Sequence, residues 1–330
     1  MHDKIREPEF LSRAKQSYIT RRVPRAIIQT LLKEASTPAP GDLVLARVQW
    51  LGQIDTIEDH RGYPTPIRQD DLLILAYGNY QDLDQYDAVL PDSLSLSDLT
   101  TTGGLISSIK CWHHALSYPT RLEPLGLLAD EQGQRLNLLR FGLQGGPGQC
   151  QAATYAMVGA RANVLQDAVR SLLKRQQRVG VLKITGSCCA QHRETLRQHG
   201  AEWVVDFSDA GYASTYLLPS HELLGIFVSL THHLSRQGAT AILVEVAGPL
   251  KQRESRLLIA SPLFRANVDG MLIAGEDGCC RLWESDTERA EPLPLSRTVV
   301  RDSGRLASPA VGMKKSIGLS APGPGEAATP

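Results

Sequence analysis

The sequence has no net charge, no long apolar run and no leader-like start, and each absence narrows the possible functions. Its 35 lysines and arginines are balanced by 35 aspartates and glutamates, so no basic excess is available to neutralise nucleic-acid phosphates. No apolar run approaches the roughly 20 residues of a membrane span, and the opening segment MHDKIREPEF has no signal-peptide core. We expect a cytoplasmic protein with no nucleic-acid or membrane partner, in which the six cysteines are thiols.

Length and element order indicate two domains. A chain of 330 residues is long for a single core. Strands that alternate with helices in the second half predict an α/β protein with a doubly wound, mostly parallel sheet. We predict a small β-rich N-terminal domain with helices over residues 1–143, a linker over 144–153, the α/β domain over 154–311 and a disordered tail over 312–330.

The first half is predicted to mix strands and helices. Strands are expected at Asp42–Gln49, Leu72–Tyr77 and Ala88–Leu90. Apolar residues near helical spacing predict helices at Val23–Glu34 and Leu105–Leu116. Residues 1–22 receive no role, and residues 117–143 are expected to be irregular apart from a turn at Asp130–Gly133.

The stretch Val179–Tyr216 carries most of the polar residues that suggest chemistry. A buried strand, Val179–Ile184, precedes a polar helix that Gly200 closes, and a second strand follows at Trp203–Val205. This βαβ pattern places Asp206 and Asp209 at a strand end, where ligands bind in an open α/β sheet. Other predicted elements are strands at 155–158, 241–246, 271–274 and 298–300, a helix capped by Asn163, a helix from Ser220 to Leu234, and a helix at 254–259.

The same half resembles a P-loop-fold family of largely uncharacterised proteins that includes D-glutamate N-acetyltransferases. The resemblance covers most of residues 155–310, and the first half also fits. It implies a P-loop NTPase-like fold and N-acyl transfer to a small amino acid or similar metabolite, with acetyl-CoA as a possible donor. The motifs that carry it are Lys183-Ile184-Thr185-Gly186, Asp206–Gly211, Ser214-Thr215-Tyr216, Val244–Ala247, Gln252–Ser255, Ala307-Ser308-Pro309, Pro40–Val44, Ala76–Asn79 and Leu125–Leu128.

The chain departs from that family where a nucleotide would bind. The family's glycine-rich loop ends in Gly-Lys-Thr, whereas this chain has Gly159-Ala160-Arg161-Ala162-Asn163 and no Gly-Lys dipeptide anywhere. A phosphate loop needs the full GxxxxGK[ST] span, so we do not expect ATP or GTP as ligands. Gly159, Arg161 and Asn163 then either meet an anion weakly at a helix N-terminus or form an ordinary capped turn.

Glu245 and Asp206 are the proposed catalytic carboxylates. Glu245 lies inside an apolar strand, where a charge is costly unless it is paired or functional. It would act as a general base, or it would be a buried acid paired with Lys183 on an adjacent strand. Lys183 itself belongs to the predicted substrate contacts, together with Thr185 and Gly186.

A polar loop and a short helix complete the predicted substrate site. Asp209, Ser214, Thr215 and Tyr216 suit a polar, amine-bearing ligand, although the same residues also cap turns. Gln252 and Arg253 begin a helix. Arg253 would grip a substrate carboxylate in a bidentate manner, or it would form a surface ion pair.

Four cysteines form a weaker hypothesis of a metal or redox site. Cys188-Cys189 and Cys279-Cys280 follow two strands of the predicted parallel sheet, beside His192, Glu276 and Asp277. Thiolates with an imidazole suit Zn²⁺ or Cu(I). The alternative is that the cysteines are small buried hydrophobes, since adjacent cysteines lack the spacing of CxxC. The adjacent pairs His113-His114 and His232-His233 are interpreted as surface residues.

The sequence supports two candidate functions. One is a transferase acting on a small amino-acid-like substrate, with Glu245 or Asp206 as base and Arg253 as carboxylate clamp. The other is a non-catalytic pseudoenzyme, a binding or partner subunit that keeps the scaffold. It is suggested because three family features are missing together: the phosphate loop, the aspartate in the turn after Thr185-Gly186 and the aspartate after Ala247. A homo-oligomer or a partner protein is expected in either case, and an active NTPase is disfavoured.

Overall fold

A computed structural model describes residues 8–33, 37–82, 86–112, 118–146, 149–248, 252–274, 280–284 and 299–301. The protein is α/β, as the sequence predicts. A large mixed sheet lies in the first half and a separate, mostly parallel sheet lies in the second half.

The first half contributes mainly strands. Its helical segments are α1 (Pro8–Arg13) and three 3₁₀ turns at Tyr18–Thr20, Arg25–Ile27 and Leu138–Phe141. Its strands are β1 (Lys15–Gln16), β2 (Thr30–Leu32), β3 (Leu43–Trp50), β4 (Thr56–Glu58), β5 (Pro64–Pro66), β6 (Leu72–Tyr77), β7 (Tyr80–Gln81), β8 (Tyr86–Val89), β9 (Ser97–Leu99), β10 (Leu105–Trp112) and β11 (Thr120–Ala129). Strands β4 and β5 pair separately, while the others follow the order β1-β6-β3-β11-β9-β10-β8-β7, with β2 also paired to β11.

The second half alternates strands and helices. Its strands are β12 (Ala153–Val158), β13 (Val179–Lys183), β14 (Trp203–Asp206), β15 (Ala241–Val246), β16 (Gly270–Ala274), β17 (Cys280–Glu284) and β18 (Val299–Arg301). Its helices are α2 (Ala162–Lys174), α3 (Ala190–Gln198), α4 (Ser220–Gln237), α5 (Arg253–Ala260) and α6 (Pro262–Ala266). The sheet order is β14-β13-β15-β12-β16-β17-β18, in which only the β16–β17 pairing is antiparallel.

Alternate residues of the central strands face two different layers of helices. Met157, Val181 and Leu243 belong to the core that α2 and α3 cover. Their neighbours Leu182 and Val244 belong to the core that α4, α5 and α6 cover. Because successive strand residues point to opposite faces, the next residues on the α3 side are Lys183 and Glu245.

One hydrophobic core joins the two sheets. Ile19 and Ile74 from the first half lie in the same buried cluster as Ile184 and Phe207 from the second. All four side chains are almost completely buried. The carboxyl edge of β13 and β14 therefore faces the first half of the chain.

Three predicted elements of the first half are wrong. The helix predicted at Val23–Glu34 is absent from its described part, which ends at Lys33, because Pro24 begins a single 3₁₀ turn and β2 then pairs with β11. Leu105–Trp112 is strand β10, held by pairing with β6, β8 and β9. The stretch expected to be irregular contains β11, whose Pro124 lies at a break in the pairing with β3, where a proline is tolerated. Residues 113–117 lie outside the described residues.

Predicted helix ends are mostly confirmed, with small shifts. Gly200 and Gly238 follow α3 and α4 with φ near +101°, the left-handed conformation that favours glycine. Arg161 rather than Asn163 precedes α2, and Pro219 rather than Ser220 precedes α4. The turn at Asp130–Gly133 is confirmed by the hydrogen bond from the Gly133 amide to the Asp130 carbonyl.

Candidate functional site

Three charged residues form a row at the carboxyl edge of the second sheet. Strand pairing places Lys183 of β13 opposite Asp206 of β14 on one side and opposite Glu245 of β15 on the other. The adjacency of Lys183 and Glu245 that the sequence suggested is therefore confirmed. Each residue in the row is at least 91% buried, with exposed fractions of 9%, 5% and 9% respectively, so their charges act on one another at low screening.

His192 extends this row above the sheet. It lies in the first turn of α3, and its Nε2 atom is 2.6 Å from Oε2 of Glu245. A carboxylate can only accept, so the shared proton belongs to Nε2, and in the neutral ring Nδ1 then carries the lone pair. Within the described part of the chain, no protein group hydrogen-bonds to Nδ1. The His192 side chain is 21% exposed, and that of Glu245 is 12% exposed.

The surroundings of Glu245 keep it ionised. Burial by itself raises the pKa of this carboxyl, but the His192 hydrogen bond and the positive charge of Lys183 outweigh it and lower the pKa. The negative charge of Asp206 opposes them weakly. Glu245 is therefore held as an anion that orients an imidazole.

The turn after β13 fixes the position of Lys183. The Thr185 hydroxyl donates to the Ala247 carbonyl at 2.8 Å, which ties this turn to the end of β15. Gly186 has φ of +95°, and a Cβ there would come within 2.9 Å of the Ala247 side chain and 3.3 Å of Lys183 Cε. Thr185 and Gly186 thus shape the site through their backbone geometry, because Thr185 is buried and its hydroxyl is engaged.

A buried arginine from the first half occupies the end of β14. The Arg21 guanidinium lies 2.7 Å from Asp209 Oδ1 and 3.6 Å from Asp206 Oδ2. It also donates to Ser208 Oγ at 2.8 Å and lies 4.1 Å from the centre of the Tyr18 ring. The first half therefore supplies the counter-charge for both aspartates.

Asp206 and Asp209 are fully engaged inside the protein. Asp206 accepts hydrogen bonds from the amide and hydroxyl of Ser208, and Asp209 accepts from the Asp206 amide at 3.0 Å. Burial raises the pKa of Asp206, but the charge of Arg21 and the Ser208 hydrogen bonds outweigh it and lower the pKa. Asp206 is thus an ion-paired carboxylate without a free proton-accepting face.

The two cysteines at the start of α3 have separate surroundings. Cys188 is buried, with its sulfur 3.2 Å from Ser208 Oγ, and burial raises the pKa of its thiol. Cys189 lies 3.2 Å from Glu58 of β4, whose carboxylate also accepts from the backbone amides of Ala190 and Gln191. Glu58 therefore caps α3 from the first half.

The metal hypothesis finds no support in the described residues. Among them, no group of three or more His, Cys, Asp or Glu side chains is arranged to hold a metal ion. Cys279, Glu276 and Asp277 lie outside the described residues, and the side chain of Cys280 does too. Cys188 and Cys189 are free thiols in contact with protein oxygens.

The predicted substrate loop borders a separate cavity of about 440 Å³ between the two halves. Ser214 and Tyr216 line it together with Asn79 and Asn137 of the first half. The Ser214 hydroxyl accepts from the Tyr216 amide at 3.1 Å, whereas Thr215 is buried. The segment therefore presents one serine and two tyrosines, Tyr212 and Tyr216, to the cavity.

The helix that follows β15 braces this loop. Arg253 donates to the Leu218 carbonyl at 2.9 Å and pairs with Glu254 at 3.1 Å. Glu254 is buried and accepts from the Leu217 amide at 3.0 Å. Gln252 precedes the helix, and its side-chain oxygen lies where a side chain on Gly248 would have to go. The Arg253 side chain is 43% exposed, and one of its nitrogens already contacts the Leu218 carbonyl and Glu254.

The turn between β12 and α2 is short, as the sequence predicts. Strand β12 ends at Val158 and α2 begins at Ala162. Gly159 has φ of +62°, and its amide donates to the Val246 carbonyl at 2.9 Å. Arg161 precedes the helix without a side-chain cap, and Asn163 is exposed in the first turn. The amides here do not form a cradle of P-loop length.

The sequence alone did not predict the roles of three residues in this region. Arg21 lies in a segment that was assigned no role, and Glu58 lies in a loop-rich stretch with no motif. His192 was noted only beside the cysteines. The sequence signal for His192 was its position in the first turn after a buried strand, but its pairing with Glu245 depends on the tertiary packing of α3 over the sheet.

Comparisons with known proteins add no relative: no family model, no curated protein and no solved structure matches this chain. Among the described residues, none of the helices combines the length and apolarity required to cross a bilayer. The case for function therefore rests on the geometry.

Proposed function

We propose that this protein is an enzyme that transfers an acyl group to the amine of a small amino-acid-like substrate, with His192 as general base. The observation that carries the proposal is the 2.6 Å contact between His192 Nε2 and Glu245 Oε2 at the carboxyl edge of a parallel sheet. Ligands in open α/β sheets bind at this edge. We also propose that the fold is of P-loop type with a degenerate phosphate loop, since β12, the first strand of the sheet, lies centrally between β15 and β16.

His192 suits the role of base better than either carboxylate first considered. Glu245 fixes the tautomer and orientation of the ring, in the way that a buried carboxylate orients a catalytic histidine. The lone pair on Nδ1 is then free to accept the proton of the substrate amine. Asp206 is a poor base because Arg21 and Ser208 already engage it.

Lys183 and the Ser214–Tyr216 loop are the remaining candidates for substrate contacts. Lys183 is the cation of the row and suits a substrate carboxylate or the oxygen that becomes negative during acyl transfer. Ser214 and Tyr216 line the separate cavity between the two halves and suit a polar part of the ligand. Arg253 would contribute mainly by holding that loop through the Leu218 carbonyl.

The reaction balances with an acyl thioester as donor, the class implied by the family resemblance. The substrate amine attacks the thioester carbonyl, so that a C–N bond forms and the C–S bond breaks. The proton lost by the amine passes to His192 Nδ1 and then to the departing thiolate. The products are an N-acyl amino acid and a free thiol, and no oxidant or metal is required.

A substrate screen tests this proposal. Purified protein is incubated with acetyl-CoA and each member of a panel of D- and L-amino acids, and free thiol is measured over time. Thiol release that depends on one amino acid, with the N-acetyl product found by mass spectrometry, supports acyl transfer. Hydrolysis without N-acetyl product, or no turnover with any member, contradicts it.

A non-catalytic partner subunit is the second candidate. It is favoured by Arg21, which fills the end of β14 with a protein cation where a ligand could otherwise bind. The short β12–α2 turn also favours a non-catalytic subunit, because it lacks the residues that bind phosphate in a P-loop. This candidate predicts that an amino acid raises the melting temperature while no acyl transfer is detected with any donor.

A further inference from the structure

A second cleft lies on the far side of α3 and is rich in arginine. Its volume is about 950 Å³, which is large enough for a metabolite. Residues of α3 form one wall, and the first half of the chain forms the other. The arginines that line it are Arg21, Arg22, Arg61, Arg193 and Arg197.

Positive charge is in excess in this cleft. Five arginines face only two carboxylates among the lining residues, Asp209 and Glu194. Asp209 is shared, since Arg21, Arg22 and Arg193 lie 2.7, 3.9 and 3.4 Å from its oxygens. Asp206, 3.6 Å from Arg21, is the second carboxylate beside this group, so three guanidinium groups face two carboxylates.

Two further arginines of the cleft are uncompensated. Arg61 and Arg197 are exposed, and within the part of the chain that the structure describes neither has an ion-pair partner. They come from opposite walls, Arg61 from the turn before β5 and Arg197 from the last turn of α3. Their charges therefore add to the field inside the cleft instead of being cancelled at the surface.

The titration of neighbouring groups reflects this field. Burial lowers the pKa of Arg22; Asp209 raises it, and the positive charges of Arg21 and Arg193 lower it further. Burial lowers the pKa of His233, and the positive charge of Arg22 lowers it further. The negative charge of Asp209 raises it, but by less. An anion bound among these partly buried guanidinium groups would stabilise their positive charge.

We propose that this cleft binds a small phosphorylated molecule through its arginine side chains. Guanidinium groups reach the cavity from three separate segments, around residues 21–22, 61 and 193–197. A tetrahedral phosphate can accept from several such directions at once, and each guanidinium offers a pair of parallel N–H donors. A planar carboxylate fits fewer of these directions.

The proposed site lies on a different face of α3 from His192. Gln191, Glu194, Thr195 and Gln198 line the cleft at the spacing of one helical face. His192 instead contacts Glu245 in the sheet. Binding in the cleft can therefore be tested whether or not the protein is an acyltransferase.

Titration calorimetry with inorganic pyrophosphate tests the proposal on the full chain. We expect saturable binding that weakens as sodium chloride is raised, since salt screens exposed charges. Arg61→Glu and Arg197→Glu should each weaken binding roughly tenfold or more, the loss of one hydrogen bond to a charged group. Both side chains are exposed and have no ion-pair partner among the described residues, so we expect the variants to keep the wild-type melting temperature.

Arg256→Glu is the matched control, because Arg256 is an exposed arginine of α5 outside the cleft. It changes the net charge by the same amount and should leave pyrophosphate binding unchanged. An equal loss in Arg256→Glu, or no binding by the wild type at millimolar pyrophosphate, would overturn the proposal. Citrate binding as tight as that of pyrophosphate would overturn the assignment to phosphate.

Discussion

Arg21 and Asp209 form an ion pair at 2.7 Å that connects the beginning of the chain to the end of strand β14. Their side chains are only 10% and 3% exposed. The same guanidinium lies close to Asp206 and hydrogen-bonds to Ser208. The carboxyl edge of the second sheet is therefore complete only when the first half is folded against it.

Replacing Arg21 with Met should destabilise the protein strongly. The change leaves two buried carboxylates without their counter-charge, and breaking such a pair costs about 3–5 kcal/mol. The free energy of unfolding from urea titration measures the effect. Arg178→Met is the control, because Arg178 pairs with Glu202 on the exposed surface, where a pair contributes much less. Equal losses in both variants would contradict a structural role for Arg21.

Stability should fall with acid through the titration of Asp206. The folded carboxyl has a pKa below its ordinary value of 3.8, so the unfolded chain takes up the proton first as pH falls. The contribution of Asp206 is therefore fully present above about pH 5 and is lost as the pH falls below its ordinary pKa toward the lower folded value. Unfolding free energies of wild type and Asp206→Asn, measured from pH 6 to pH 3, should converge in acid. A difference that stays constant across this range would show that the charge of Asp206 is not involved.

The sequence predicted the second half better than the first. Buried apolar strands such as Ala241–Val246 were recognised because both faces of a parallel strand are covered. In the first half, β10 and β2 were missed because pairing with distant strands overrides the weak helical pattern of short segments. The row of Lys183 and Glu245 could be anticipated from strand order. The contacts of Arg21 and Glu58 could not, since they depend on how two sheets pack together.

Magnesium nucleotides should not bind tightly at the β12–α2 turn. The three residues between Val158 and Ala162 cannot supply the amide cradle, lysine and hydroxyl of a phosphate loop. Calorimetry with ATP or GTP and Mg²⁺ should give no micromolar or tighter dissociation constant. Weaker binding of the triphosphate in the arginine cleft would persist in Arg161→Ala and be lost in Arg197→Glu. Micromolar binding that Arg161→Ala abolishes would contradict this prediction, because it would show that the β12–α2 turn binds the nucleotide.

Glu245→Gln should reduce turnover while the fold survives. The amide can still contact the His192 ring, but it no longer stabilises the protonated imidazole or fixes the tautomer. We expect kcat to fall about 10²- to 10⁴-fold, the range for positioned acid–base catalysis, with little change in KM. Glu202→Gln is the control, since Glu202 is exposed and remote from the row. An unchanged kcat in folded Glu245→Gln protein would assign Glu245 a structural role only.

The most direct test of the account is the rate of acyl transfer by His192→Gln compared with wild type. With the amino acid found in the screen, we predict that His192→Gln loses about 10²- to 10⁴-fold in kcat, the range for positioned acid–base catalysis. His221→Gln, which alters an exposed histidine of α4, should retain the wild-type rate. A folded His192→Gln protein with wild-type turnover would contradict the assignment of His192 as the base.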